Sequence, residues 1–291
     1  MASQPLDGAP SLLVRLRGVR PSLSPAEDRV AEQVLADPRA AAGLTISELA
    51  VAASTSETTV LRFCKRLGLR GYPQLRLALA EASTGGRPQA PTSDISDEDS
   101  VDDVIAKVAH ADASAVDETA QTLDRRALAA AAEAIANAQR VDVYGIAASA
   151  LVGMDLQQKL HRIGSMTFCW SDPHIALTSA TLLGPGDVAI GISHSGTTRE
   201  TVEALELARA RGATTVAITN FPVSRLAGVA DHVLATAARE SSLRSGATAS
   251  RIAALTVVDC LYITVAQHDL ARARSAVEAT RQAVAGHHMR Y

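Results

Sequence analysis

Aromatic side chains are nearly missing from this chain: Phe, Tyr and Trp together make up 3% of its 291 residues. That scarcity removes the stacking platforms on which single-stranded nucleic acid is held, and it leaves packing to aliphatic and small side chains. Cysteine is almost as rare. Cys64, Cys169 and Cys260 are odd in number, far apart, and form neither a CxxC pair nor a Cys/His ligand set. A disulfide framework and a zinc site are therefore excluded, and reduced buried thiols are expected, with no cofactor and no metal. The leading MASQPLDGAP has no basic segment followed by an apolar run, and no apolar stretch reads as long enough to span a bilayer. The expectation is a soluble cytoplasmic protein with no membrane partner. His287 and His288 read as a solvated tail.

An excess of charge of one sign is also lacking. The formal net charge is −3; residues 1–82 carry 10 Lys/Arg against 8 Asp/Glu, and the remainder 18 against 23. Neither part attracts a polyanion by its bulk field, so any nucleic-acid argument must rest on local clusters. Nucleotide-phosphate signatures are absent too: there is no G-x-x-x-x-G-K, and no G-x-G-x-x-G follows an apolar run. A nucleophile elbow centred on Ser193 would need glycine at 195, where Ser195 stands.

What is present begins with helix signals. The length exceeds the usual single domain, so two domains are expected. Ser24-Pro25-Ala26-Glu27 is a capping box with proline at the first helical position, predicting a helix from Pro25 to about Asp37 with Val30, Val34 and Leu35 inward. A second box, Thr45-Ile46-Ser47-Glu48, opens a short helix with Ile46, Leu49 and Ala50 inward. After a break at Ala53-Ser54-Thr55, Ser56 caps a third helix closed by Gly68, with Val60, Phe63, Cys64 and Leu67 at i, i+3, i+4, i+7. Two short helices across so brief a turn make a helix-turn-helix arrangement. The opposite face then presents Thr58, Thr59, Arg62, Lys65 and Arg66 after the Ser56 cap, and from Ser56 to Arg76 five cations oppose Glu57 alone. Such a strip suits phosphate contacts with double-stranded DNA, the first helical turn reading bases in the major groove. It also fits the solvated cationic face of an ordinary three-helix domain.

Residues 83–100, STGGRPQAPTSDISDEDS, have almost nothing to bury and read as a linker between domains at 1–82 and 101–291. The second opens with a lead-in helix from Val101 and a first helix reaching about Ala138. From Val141 strands and helices alternate. Strands are expected at Val141–Ile146, Ser165–Cys169, Val188–Ile192, Thr215–Thr219 and His232–Ala235, and helices near Ala150–Arg162, His174–Leu182, Glu200–Arg211, Ser224–Val229 and Ser250–Asp269. The fold class that follows is α/β: an all-α helix-turn-helix domain, then a doubly wound parallel five-stranded α/β/α domain.

Ligands of such sheets bind at the carboxyl ends of the strands. There Ser149 follows Gly145-Ile146-Ala147-Ala148. There too the stretch VAIGISHSGTTRE, Val188 to Glu200, leads from a fully buried strand into four hydroxyls, Ser193, Ser195, Thr197 and Thr198, around Gly196. A helix N-terminus with unpaired N–H groups and a favourable dipole suits an anion, phosphate first. Ser and Thr also cap ordinary helices; one hydroxyl suffices for that, and here four stand within six positions.

YGIAAS, QKLHRIG, ISHSGTTRE, AITN and SRIAALTVVDCLY together resemble a sugar isomerase (SIS) domain, the phosphosugar-binding module. LSPAEDRVAEQVL, ISELA and SETTVLRFCKRLGLRGYPQLR resemble the helix-turn-helix domain of the RpiR/MurR family of bacterial transcriptional regulators. The resemblance covers nearly the whole chain, in the family's order. It implies that the hydroxyls of Ser149, Ser193, Ser195 and Thr198, with backbone amides near Gly196 and Thr197, hold a phosphosugar. Glu240 aligns with a carboxylate that touches sugar hydroxyls in related domains, and it fits a surface acid as well. Two positions depart from the pattern: Ala147 stands where such turns have glycine, and Thr55 where an apolar residue usually precedes the recognition helix.

The function so implied is DNA-binding regulation of carbohydrate or amino-sugar metabolism by a homodimer or homotetramer whose operator binding is modulated by a sugar phosphate. The alternative is a phosphosugar isomerase with an accessory helical domain. Aldose–ketose interconversion needs a base, and His194 beside the hydroxyl loop is the candidate. A lone histidine between ligand-facing serines is more often a structural donor, and an enzyme would leave the basic helix idle, so no catalytic residue is expected.

Overall fold

The computed structural model describes residues 12–84, 95–240 and 248–285; the leading segment, the centre of the expected linker and the histidine tail lie outside the described residues. The chain forms two compact units, Met1–His110 and Ala111–Tyr291.

In the first unit, α1 (Leu12–Val19), α2 (Pro25–Ala36), α3 (Pro38–Gly43), α4 (Ile46–Ala52), α5 (Glu57–Arg66) and α6 (Tyr72–Thr84) surround a core that includes Leu16, Val30, Val34, Leu49, Val60, Phe63 and Leu75. The predicted caps are in place. The Ser24 amide (3.0 Å) and hydroxyl (2.6 Å) both donate to the Glu27 carboxylate. At the head of α4 the Thr45 amide donates to Glu48 at 2.7 Å and the Glu48 amide returns a bond to the Thr45 hydroxyl at 3.2 Å. Helix α5 ends in a paired closure: Gly68, at φ +72, donates to the Lys65 carbonyl and Leu69 to that of Cys64, both at 2.9 Å. Removing the Thr45 hydroxyl by Thr45→Ala is expected to lower stability by about 1 kcal/mol, read as a shifted urea midpoint at unchanged slope.

Helices α1, α3 and α6 exceed the three expected. The stripes of α1 and α6, Leu12/Leu16 and Tyr72/Leu75/Leu79, are too short to stand out in an alanine- and leucine-rich sequence. Helix α3 is a six-residue helix that Asp37 starts by accepting from the Ala40 amide at 2.9 Å.

The long helix α7 (Val101–Thr122) crosses the division between the units, and α8 (Arg125–Ala136) follows it. Then come β1 (Val141–Gly145), α9 (Ala148–Arg162), β2 (Thr167–Trp170), α10 (Pro173–Ala180), β3 (Val188–Ile192), α11 (Arg199–Ala210), β4 (Thr214–Thr219), α12 (Arg225–Gly228), β5 (His232–Ala235), α13 (Ala249–His268) and α14 (Leu270–Val284). The five strands are parallel in the order β2-β1-β3-β4-β5, with Val141 opposite both Thr167 and Val188. Alternation along the strands splits the core in two. Val141, Val143, Ile190, Ile192, Val216 and Ile218 join the layer of α8, α9 and α13; Tyr144, Ala189 and Ala217 join that of α10, α11 and α12. The sheet is doubly wound, as expected. Strands β3 and β5 keep their predicted bounds, whereas β2 starts two residues late. Gly164 at φ +85 and the Ser165 amide, bonded to the Leu160 carbonyl at 3.1 Å, use those residues to finish α9.

Helix α13 corrects the expectation about apolar runs: its 20 residues are long and apolar enough to cross a membrane by length and composition. Its Ala254, Val257, Val258, Leu261 and Val265 are core residues of the second unit. Helix α14 went unpredicted because it buries only Ala273; Asp269 starts it by accepting from the Arg272 amide at 2.9 Å. The three cysteines are free, and burial pushes the Cys64 and Cys169 thiols up to about 11.

One buried charge frames the sheet. Asp142, fully enclosed in β1, accepts from the Arg140 guanidinium (2.8 and 3.0 Å), the Trp170 indole (2.9 Å), and the hydroxyls of Ser179 (2.6 Å) and Tyr144 (3.2 Å). These donors satisfy a carboxylate held away from water, and they tie β2 and α10 to β1.

Candidate functional site

In this strand order the helices after β1 and β3 leave on opposite faces of the sheet. The carboxyl ends of those two strands therefore open a crevice at the topological switch point. Both predicted loops emerge there.

The β1–α9 turn is tight: a Cβ at Gly145 would lie 2.9 Å from the carbonyl carbon and oxygen of Ser149. Ala147 takes φ +52, a region where a residue with a Cβ carries about 1–2 kcal/mol of strain. This explains why glycine suits the position and marks the alanine as a strained substitute beside the crevice. Ser149 is half-buried and lines a pocket with Ile192, His194, Thr219, Thr236 and Ser250.

The β3–α11 loop turns its hydroxyls on one another. Ser193 is buried; its hydroxyl accepts from the Gly196 amide at 3.1 Å and pairs with the Thr198 hydroxyl at 2.9 Å. Ser195 is exposed and accepts from the Thr197 amide (3.3 Å) and hydroxyl (2.9 Å). Thr198 is the N-cap residue of α11, yet its side chain makes no capping bond. Ordinary capping therefore does not account for it, and the first-turn amides stay open. Each hydroxyl retains hydrogen-bonding capacity beyond these contacts, so the loop offers a ring of alcohols and amides at a helix N-terminus, a donor set suited to phosphate.

His194 was expected to be a structural donor, and that reading needs correction. Its Nδ1 is buried without a hydrogen-bond partner. Its backbone is engaged, the carbonyl accepting from the Thr219 hydroxyl (3.2 Å) and the Asn220 amide (3.0 Å). Burial pulls the imidazole below its ordinary range, and Glu240 opposes that by a smaller charge effect. Glu240 in turn accepts from the hydroxyl of Ser250, a pocket-lining residue. The sequence reading did not single out Thr236, Ser250 or Arg251. The last two lie in SRIAALTVVDCLY, a stretch that carried the resemblance but no ligand role.

On α5, Thr58, Arg62, Lys65 and Arg66 are exposed, as is the N-cap Ser56. Thr59 is not: it is 5% exposed, its hydroxyl lies 3.1 Å from that of Ser56, and it accepts from Arg62 at 3.4 Å. Its amide binds the Ser56 hydroxyl at 3.3 Å, so Thr59 locks the start of the helix and leaves the outward strip. The preceding turn is held from α2, where Arg29 donates to the carbonyls of Ala53 (3.1 Å) and Ser54 (3.0 Å); Ser54 sits at φ +48.

Two family models match the chain: the helix-turn-helix domain of the rpiR family over residues 11–85 and the SIS domain over residues 134–264. An uncharacterized helix-turn-helix-type transcriptional regulator of Caldanaerobacter subterraneus is 42% identical, over 88% of this chain and 90% of its own. The Vibrio vulnificus NanR protein, solved in complex with ManNAc-6P, superimposes with a TM-score of 0.62 at 31% identity, covering 96% of this chain and all of that one. The sugar isomerase domain of an RpiR transcription factor from Sphaerobacter thermophilus gives a TM-score of 0.57 at 30% identity over 62% of this chain and 98% of that one.

Proposed function

This chain belongs to the rpiR family of helix-turn-helix transcriptional regulators, its reading helix joined to an SIS domain, and from that premise we propose that α5 contacts operator DNA while the β1/β3 crevice holds a sugar phosphate that alters operator affinity. The observation that carries the effector half is that two hydroxyl-bearing loops, at Ser149 and at Ser193–Thr198, leave the carboxyl ends of the adjacent strands β1 and β3, with Ser149 and His194 lining one pocket. Ser193, Ser195 and Thr198, with the amides of Gly196 and Thr197, face the phosphate; Ser149 and Glu240 lie toward the sugar. On α5 the contacts fall to Ser56, Thr58, Arg62, Lys65 and Arg66. The ManNAc-6P seen on NanR supports an amino-sugar phosphate as effector, and with it a role in carbohydrate or amino-sugar metabolism.

A homodimer or homotetramer in the cytoplasm places paired reading helices on a palindromic operator. The effector changes the poise of those helices by no more than its differential affinity for the two states. Residues 1–82 carry the first role and 101–291 the second. Crevice and strip act without catalysis: binding and release are the whole cycle.

Thermal melts with ManNAc-6P, other hexose phosphates and their unphosphorylated parents test this. Sugar phosphates are expected to raise the melting temperature in proportion to the logarithm of their concentration, and the parents to leave it unchanged. Gel shifts on DNA upstream of the chain's own gene are expected to show a specific complex that weakens with salt and responds to the same phosphates. No stabilisation by any phosphate overturns the effector reading. Aldose–ketose turnover above background replaces the regulator with an isomerase.

A further inference from the structure

The hydroxyls of the 193–198 loop bond to one another, but two buried polar atoms beside them have no partner, Nδ1 of His194 and Oγ1 of Thr201. Such an orphan costs about 1–3 kcal/mol, and native proteins keep few of them. Thr201 packs against β3, its Cγ2 3.4 Å from where a Cβ of Gly191 would stand, and it does not line the pocket. His194 does. Its backbone is pinned through the carbonyl, its ring meets the edge of Phe221 at 5.7 Å between centroids, and it borders the pocket with Ser149, Thr236, Ser250 and Arg251.

With Thr219, those neighbours have the chemistry of a polar sugar site: four alcohols and a guanidinium beside the imidazole, with the Glu240 carboxylate accepting from Ser250. Burial favours the uncharged ring, which donates at one nitrogen and accepts at the other. That is the pairing a sugar hydroxyl or the N–H of an acylamino group needs. We infer that His194 is the specificity-determining residue of the effector pocket, hydrogen-bonding a ring substituent of the sugar while the Ser193–Thr198 hydroxyls hold its phosphate. The inference rests on the sugar-phosphate reading above. A site built to hydrogen-bond a substituent rejects the analogue lacking it far more strongly than an apolar wall does.

The test is calorimetric titration of the full chain, His194→Phe and His194→Leu with three probes: inorganic phosphate, ManNAc-6P and mannose 6-phosphate. In the unaltered chain the two sugar phosphates are expected to bind with different affinities. In His194→Phe the better of them is expected to lose about tenfold or more, the loss of one hydrogen bond. The ratio of the pair falls toward one, and inorganic phosphate binding stays as it was. His194→Leu, which has no polar atom, gives the same pattern and decides the matter if the Phe variant does not fold. An unchanged ratio in the folded variants overturns the role of His194 and leaves the phosphate cradle standing. Parallel loss of inorganic phosphate overturns it as well, because His194 would then shape the cradle. If the unaltered chain binds none of the three, the effector reading falls and the inference with it.

Discussion

Gly196→Ala is expected to abolish the response to sugar phosphates and to destabilise the second unit. At φ +64 the residue sits where only glycine is free of steric cost, and an added Cβ would stand 2.1 Å from the Ser224 Oγ and 2.8 Å from the Thr219 Oγ1. Neither neighbour can yield. Ser224 caps α12 through the Ala227 amide, Thr219 donates to the His194 carbonyl, and the Gly196 carbonyl itself accepts from the Leu226 amide at 2.9 Å. Left-handed strain of about 1–2 kcal/mol adds to an overpacking penalty of about 1–3 kcal/mol, so a total near 2–5 kcal/mol is expected in urea unfolding. Because the loop must move to admit the methyl group, the Ser193–Thr198 pair and the Gly196 amide are displaced together, and thermal stabilisation by sugar phosphates disappears. Gly184→Ala is the control: open space surrounds a Cβ there, and an effect within about 0.5 kcal/mol is expected. A Gly196→Ala chain that still responds to sugar phosphates would mean that the phosphate is held elsewhere.

How far this site was legible in sequence follows from which signals are local. The capping boxes at Ser24 and Thr45, the closure at Gly68 and the hydroxyl loop behind β3 each lie within a few consecutive residues, and each is found where it was expected. Thr59 misled because helical face-counting ignores the first turn, where a threonine side chain folds back onto the N-cap serine. His194 misled because a histidine flanked by serines in sequence carries no sign of whether its ring finds a partner, and in the folded loop Nδ1 finds none. Thr236, Ser250 and Arg251 reach the pocket from the end of β5 and from α13. Nothing along the chain announces that proximity, which the sheet order creates by bringing distant segments to one rim. The buried charge of Asp142 was equally hidden: its partners come from β1, β2 and α10, and only assembly turns an isolated acid in an apolar strand into a fully paired one.

Arg62→Ala and Ser195→Ala are expected to split the two activities cleanly. Both side chains are exposed, so removing either leaves the cores intact. Among the exposed cations of α5, Arg62 is the cleaner choice than Arg66, whose charge acts more strongly on the buried carboxylate of Glu27. A side chain reading a base contributes about 1–3 kcal/mol, so Arg62→Ala should weaken operator binding roughly tenfold or more; if it contacts phosphate instead, the salt dependence should flatten by about one counterion. Titration with sugar phosphate should be unchanged. Ser195→Ala removes one alcohol from the phosphate cradle, and a hydrogen bond to a charged group is worth about 1.5–3 kcal/mol, so effector affinity should fall about tenfold to a hundredfold. Operator binding without effector should match the unaltered chain. Linkage sharpens the distinction: an effector that binds the variant less tightly shifts the operator equilibrium at proportionally higher concentration, moving the midpoint of the DNA response without altering its unliganded limit. Gel shifts across an effector series read both quantities from one titration. Matching defects in effector and operator binding for either variant would contradict a division of labour in which α5 reads DNA and the crevice reads the sugar phosphate.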